Sequence, residues 1–114
     1  MINSGLKLKN FIISLLKEKK TSDIATITNK NNTIANTAII ASGTSTKHIS
    51  AVADFVSLEI KKKTIFSTIL AGINISNWVI ISTEDIIVHL FTPEARKLYD
   101  IESLLDNKNE QICY

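Results

Sequence analysis

The sequence predicts an α/β domain, a mixed β-sheet flanked by helices, on the strength of three observations. Apolar residues recur at helical spacing in two separate stretches, Leu8 to Leu16 and Ile49 to Ile60. Between and after them stand short runs rich in Ile, Val and Thr, bounded by polar turns, as strands are. The third observation is length: a chain of 114 residues buries roughly 65% of the surface its unfolded form exposes, enough for one core and too little for two.

Taken in order, Leu8, Phe11, Ile12, Leu15 and Leu16 place one apolar stripe on a helix from Leu6 to Lys20. Ser22-Asp23 punctuates the chain before the β-branched run Ile24 to Thr28. Asn29 to Asn32 then form a polar turn, and a second strand covers Thr37 to Ser42, giving a hairpin with a loose loop. Ser42-Gly43-Thr44-Ser45 ends that strand and opens a helix reaching Lys62, with Thr44 or Ser45 able to cap it. Thr64 to Leu70 reads as a strand and Ala71 to Asn77 as a loop. Trp78 to Ser82 and Ile86 to Phe91 form the best-patterned hairpin, joined by the acidic turn Thr83-Glu84-Asp85. Thr92-Pro93-Glu94 follows as a helix start, with Pro93 at the first helical position where its missing N–H costs nothing. That helix runs to Asp106 and closes a single domain over residues 1–106, leaving 107–114 as a short tail.

Composition excludes several classes of function. Lysine and arginine number 13 against 11 acids, so the formal net charge is only +2 and no basic stripe for a phosphate backbone is expected. The clusters Lys17 to Lys20 and Lys61-Lys62-Lys63 end apolar periodic segments, where cations complement a helix C-terminus. Cys113 is alone, so neither an intramolecular disulfide nor a cysteine metal site can form, which fits a reducing compartment. The run Phe11-Ile12-Ile13 is too short and too soon followed by charge to be a signal peptide or membrane span. A soluble, cytoplasmic protein without membrane contact is expected.

Chemistry finds no constellation to work with. His48 and His89 are the only imidazoles, and no triad or metal-ligand spacing surrounds them. His48 reads as a surface or capping residue. His89 alternates with Val88 and Leu90, so its ring points to the opposite face of the strand. Gly43, Thr44 and Ser45, at a helix N-terminus, form a candidate anion-binding turn for a nucleotide or RNA. This turn is similar to the Gly-Ser turn of nucleotidyltransferases, yet Asp54 stands alone where those enzymes need paired aspartates. No cofactor, metal or enzymatic activity is expected.

Five segments in order resemble the ribosomal silencing factor family, also called Iojap-like proteins. They are Ile40 to His48, Ala51 to Asp54, Asn77 to Val79, Asp85 to Phe91, and Arg96 to Glu102. The resemblance implies a nucleotidyltransferase-like fold without catalysis. It implies binding to the large ribosomal subunit through its protein fourteen, with joining of the small subunit blocked and translation repressed under nutrient limitation. The resemblance implies a homodimer as well, and a peripheral ribosomal RNA contact is the other reading of the lysine clusters. The expected partner-facing residues are Trp78, Asp85, His89, Arg96, Tyr99 and Glu102, with Trp78 and Tyr99 as core residues the competing reading. The chain departs from the family at Asn36, Ala71 and Ser82, where acids are common, and near Leu105, where a Trp is common.

Overall fold

In the computed structural model, which describes residues 5–28, 37–73, 77–99 and 110–113, the first apolar stripe forms α1, Gly5–Glu18. Leu8, Ile12, Leu15 and Leu16 are all buried, as their spacing requires. The helix stops at Lys20, whose φ of 63° is left-handed. There the N–H of Thr21 donates to Leu16 O at 3.1 Å and that of Lys20 to Lys17 O at 3.1 Å. These two bonds satisfy carbonyls that the helix end would otherwise orphan.

The remaining elements are β1 (Ser22–Thr28), β2 (Thr37–Ser42), α2 (Thr46–Lys63), β3 (Ile69–Ile73), β4 (Trp78–Thr83), β5 (Ile86–Phe91), α3 (Pro93–Tyr99) and β6 (Glu110–Cys113). The strands form one six-stranded sheet in the order β3-β4-β5-β2-β1-β6. Neighbours are antiparallel except β2 and β5, which run parallel, so the expected mixed sheet is the one observed. Parallel neighbours need a long crossover, and the segment carrying α2 supplies it. Ser45 caps α2 by accepting the His48 N–H, and the basic last turn, Lys61 to Lys63, lies against the negative end of the helix.

Several boundaries differ from the expectation. Thr64 does not open a strand, because its N–H and its hydroxyl both donate to Ile60 O, at 3.0 and 2.6 Å, and cap α2. The strand comes later, at Ile69–Ile73, so Ala71-Gly72-Ile73 pair with β4 where a loop was expected. Pairing with a neighbour outweighs the poor strand propensity of glycine. At the other end, residues 110–113 of the expected tail pair with β1, Ile112 opposite Thr26. The third helix is described as far as Tyr99, and its expected continuation to Asp106 lies outside the described residues.

Strand alternation sorts the side chains onto two faces. Val79, Ile81, Ile86, Val88 and Leu90 join α1 and the buried side of α2, including Ile49, Val52, Val56 and Ile60, in the main core. On the opposite face Ile27, Ile40 and Phe91 pack with Ala95 of α3, and Ala38, Trp78 and Tyr99 rest against them. Thr26 sits opposite Ile39 and shares the main-core face, yet its hydroxyl is buried without a partner. An unbonded buried hydroxyl is destabilising, so Thr26→Val is expected to raise stability by about 1 kcal/mol in urea unfolding. A loss of stability in that variant would show that the hydroxyl is satisfied.

Candidate partner-binding site

The β4/β5 hairpin turns through two residues, Glu84 and Asp85, with Glu84 left-handed at φ 50°. Thr83 therefore faces Ile86, and counting back along both strands brings Trp78 opposite Phe91. The chain then leaves Phe91 through Thr92, whose N–H donates to Asn77 O at 3.1 Å, pinning the start of β4 to the end of β5. Thr92 also caps α3, its Oγ1 accepting the Ala95 N–H at 3.4 Å. One helical turn beyond the buried Ala95, Tyr99 returns over the hairpin.

The result is a cluster of four rings. Trp78 lies 5.0 Å from Phe91 and 4.9 Å from Tyr99 between centroids, and 5.8 Å from His89. His89 and Phe91, two residues apart on one strand face, are 6.2 Å apart and nearly parallel at 10°. Phe91 is fully buried and forms the floor, whereas Trp78 and Tyr99 are half-buried. Such aromatic pairs contribute about 0.5–1.5 kcal/mol each beyond the area they bury. Trp78 and Tyr99 thus brace the second core and still present ring surface outward.

The indole N–H of Trp78 donates to His89 Nδ1 at 3.1 Å, so that nitrogen carries a lone pair and the imidazole is neutral in this arrangement. Burial lowers the His89 pKa from 6.5 to about 4. Arg96, half-buried on α3, donates from Nη1 to Ser42 Oγ at 2.9 Å. Ser42 ends β2 directly beside Phe91 in the parallel ladder. Neither Phe91 as floor nor Ser42 as tether was expected from the sequence, although a two-residue hairpin implies the Trp78–Phe91 pairing.

Of the six expected residues, Trp78, His89, Arg96 and Tyr99 come together. Asp85 does not, because it sits in the turn at the far end of β5, about 20 Å from Phe91 along a six-residue strand. There its carbonyl accepts the Thr37 N–H at 3.2 Å. Glu102 lies outside the described residues.

The candidate anion-binding turn at Gly43, Thr44 and Ser45 is bonded internally. Gly43 N–H donates to Phe91 O at 2.8 Å, and Thr44 N–H donates to His48 Nδ1 at 2.9 Å. With Nδ1 accepting, His48 holds its proton on Nε2 and donates it to Lys19 O at 2.9 Å. His48 thereby ties the end of α1 to the start of α2. A side chain at position 43 would overlap a methyl of Ile49, so the close approach requires glycine. Among the described residues no three His, Cys, Asp or Glu side chains gather as metal ligands.

Residues 3–113 match the family model described as "Ribosomal silencing factor during starvation". The chain belongs to the ribosomal silencing factor family. It is 33% identical over 98 residues to the ribosomal silencing factor of Zymomonas mobilis, covering 85% of this chain and 74% of that one. It is 30% identical over 100 residues to the Haemophilus influenzae counterpart, covering 87% and 98%. A crystal structure of a Chromobacterium violaceum protein superposes with a TM-score of 0.83 at 24% identity, covering 92% of this chain and 88% of that one. One from Bacillus halodurans gives 0.77 at 23%, covering 88% and 94%. The family resemblance and the fold it implied are thereby established.

In this ribosomal silencing factor the His89 shift has a direct consequence for stability. The folded pKa lies near 4 against 6.5 for the unfolded chain, so between those values the unfolded state binds more protons. The stabilisation is complete above pH 6.5 and is lost as pH falls towards 4. It amounts to about 3 kcal/mol in total, of which about 2 kcal/mol is gone by pH 5. Urea unfolding at pH 7.5 and pH 5 should show this drop in the natural chain. His89→Gln, which keeps an acceptor for Trp78 but does not titrate, should show a clearly smaller one; equal drops would remove His89 as the source.

Proposed function

We propose that this ribosomal silencing factor acts by occlusion, binding protein fourteen of the large ribosomal subunit in the cytoplasm and denying the small subunit its place. No bond is made or broken in this reading. The observation that carries it is the half-exposed Trp78–Tyr99 pair seated on Phe91 with the Arg96 guanidinium beside it. Large aromatic surfaces and a forked cationic donor are the residue types that dominate interface energetics. His89 serves as a positioning residue, because its Nδ1 holds the indole in one orientation.

The family departures bear on affinity. Ala71 pairs with Ile80, and Ser82 follows two residues later on the same strand face as Trp78. The face that presents the rings therefore lacks two acids common in the family, and ring contact carries more of the binding here than charge does. Asn36 and Leu105, the other departures, lie outside the described residues. The alternative, a nucleotide or RNA held at the Gly43 turn, finds the Gly43 and Thr44 N–H groups already bonded. A homodimer belongs to the proposed reading, supported by the open sheet edge at β3.

Co-sedimentation with large subunits and a subunit-joining assay test this function. The natural chain should pellet with large subunits and lower the joined fraction. Tyr99→Ala and Arg96→Glu, checked for folding by circular dichroism, should each weaken pelleting at least about 10-fold, as residues of this kind do when central to an interface. Unchanged pelleting by both folded variants would exclude this site. Unhindered joining in the presence of bound natural chain would exclude occlusion.

A further inference from the structure

The near-neutral formal charge of the chain conceals a segregation that the fold reveals. α1, the turn after it and α2 cover one face of the sheet, and together they hold nine basic residues against three acidic ones, a formal +6. The rest of the chain holds four against eight, a formal −4. The basic layer and the ring cluster lie on opposite faces of the sheet. Helix dipoles explain only part of this distribution. Lys61, Lys62 and Lys63 end α2, where cations are favourable, and Lys63 is also paired with Glu59 at 3.2 Å. Lys47 stands in the opposite situation: the first turn of α2 has no acid, and this exposed lysine occupies the positive end of the helix. The bond from His48 Nε2 to Lys19 O brings exposed Lys19 and Lys20 to that same end. Three cations gather at a helix N-terminus, a repulsion that a polyanion would relieve.

We propose that the outer surface of α1 and α2 is an RNA-binding face that holds the phosphate backbone of a double helix, on the large-subunit reading a helix of ribosomal RNA. All nine basic residues are lysines, compact charges that neutralise phosphates but lack the planar fork that reads base edges. The layer carries no Trp, Tyr or Arg, the types that anchor protein interfaces. Its two phenylalanines, Phe11 and Phe55, pack against the core, and the Lys19 ammonium covers the Phe55 ring at 4.2 Å. Unpaired bases therefore find no stacking platform, which single-strand binders provide. What remains is recognition by charge along a continuous backbone, without sequence readout. Lys61 and Lys62 carry that charge to the far end of α2, about 21 Å from Lys47 at about 1.5 Å per residue. Such a span fits a duplex segment better than a single phosphate.

The identity of the RNA rests on the large-subunit reading, but duplex binding is measured without ribosomes, so the two fail separately. Fluorescence anisotropy with a labelled RNA duplex should show binding by the full chain at low salt. Raising salt from about 50 to about 200 mM should weaken that binding roughly 100-fold, as counterion release from about four phosphates requires. Lys20→Glu with Lys47→Glu, and separately Lys61→Glu with Lys62→Glu, should each weaken it at least about 10-fold and reduce the salt slope by about two, with the circular dichroism spectrum unchanged. Both double variants should also pellet less with large subunits. Tyr99→Ala, on the opposite face, should bind the duplex as the natural chain does. A natural chain that binds the duplex but does not pellet would remove the large-subunit reading and leave the RNA-binding face standing. Absence of duplex binding at low salt, an unchanged salt slope in both folded double variants, or tighter binding to vesicles rich in phosphatidylserine would each overturn the proposal.

Discussion

The parallel pairing of β2 with β5 is the constraint on which the other features depend. It forces a crossover, so α2 must lie against one face of the sheet, and it places two strands at the centre where both faces are buried. Ile39, Ile40, Ala41 and Ser42 are accordingly all buried, whichever face they point to. The same register puts Ser42 beside Phe91 and lets Gly43 N–H bond Phe91 O, so the turn into α2 and the turn into α3 start side by side. Arg96 finds Ser42 only because of that adjacency. Without this ladder the tether would not exist, and the ring cluster would lose Ile40, which packs with Phe91 beneath it.

How much of this was legible depended on whether a local signal sufficed. Both long helices followed from their apolar period, and α3 from Thr92-Pro93-Glu94, because capping chemistry is local. The final hairpin was visible as two apolar runs, but with Thr83 assigned to the turn its register stayed open. A shift of one residue changes which side chains share a face, so the ring cluster could not be assembled from the pattern alone. With Thr83 in the strand and a two-residue turn, Trp78 must meet Phe91. β3 was hidden for a different reason. Gly72 carries turn propensity, and the β4 ladder overrides it. β6 offered just Ile112 and Cys113 as apolar signal, too little to distinguish a strand from a tail. Asp85 was expected in the patch through family resemblance, which gives order along the chain but not distance across it.

On the proposed reading the ring cluster has two roles that reinforce each other. A contact residue that is floppy in the free protein loses rotamer freedom on binding, and that loss subtracts from affinity. Trp78 has lost most of that freedom on folding, since Phe91 lies beneath it, Tyr99 beside it and His89 fixes its indole N–H. The neutral, desolvated state of His89 is part of this arrangement, because a proton on Nδ1 would face the indole hydrogen instead of accepting it. Core packing and presentation are thus the same interaction viewed from two sides of the ring.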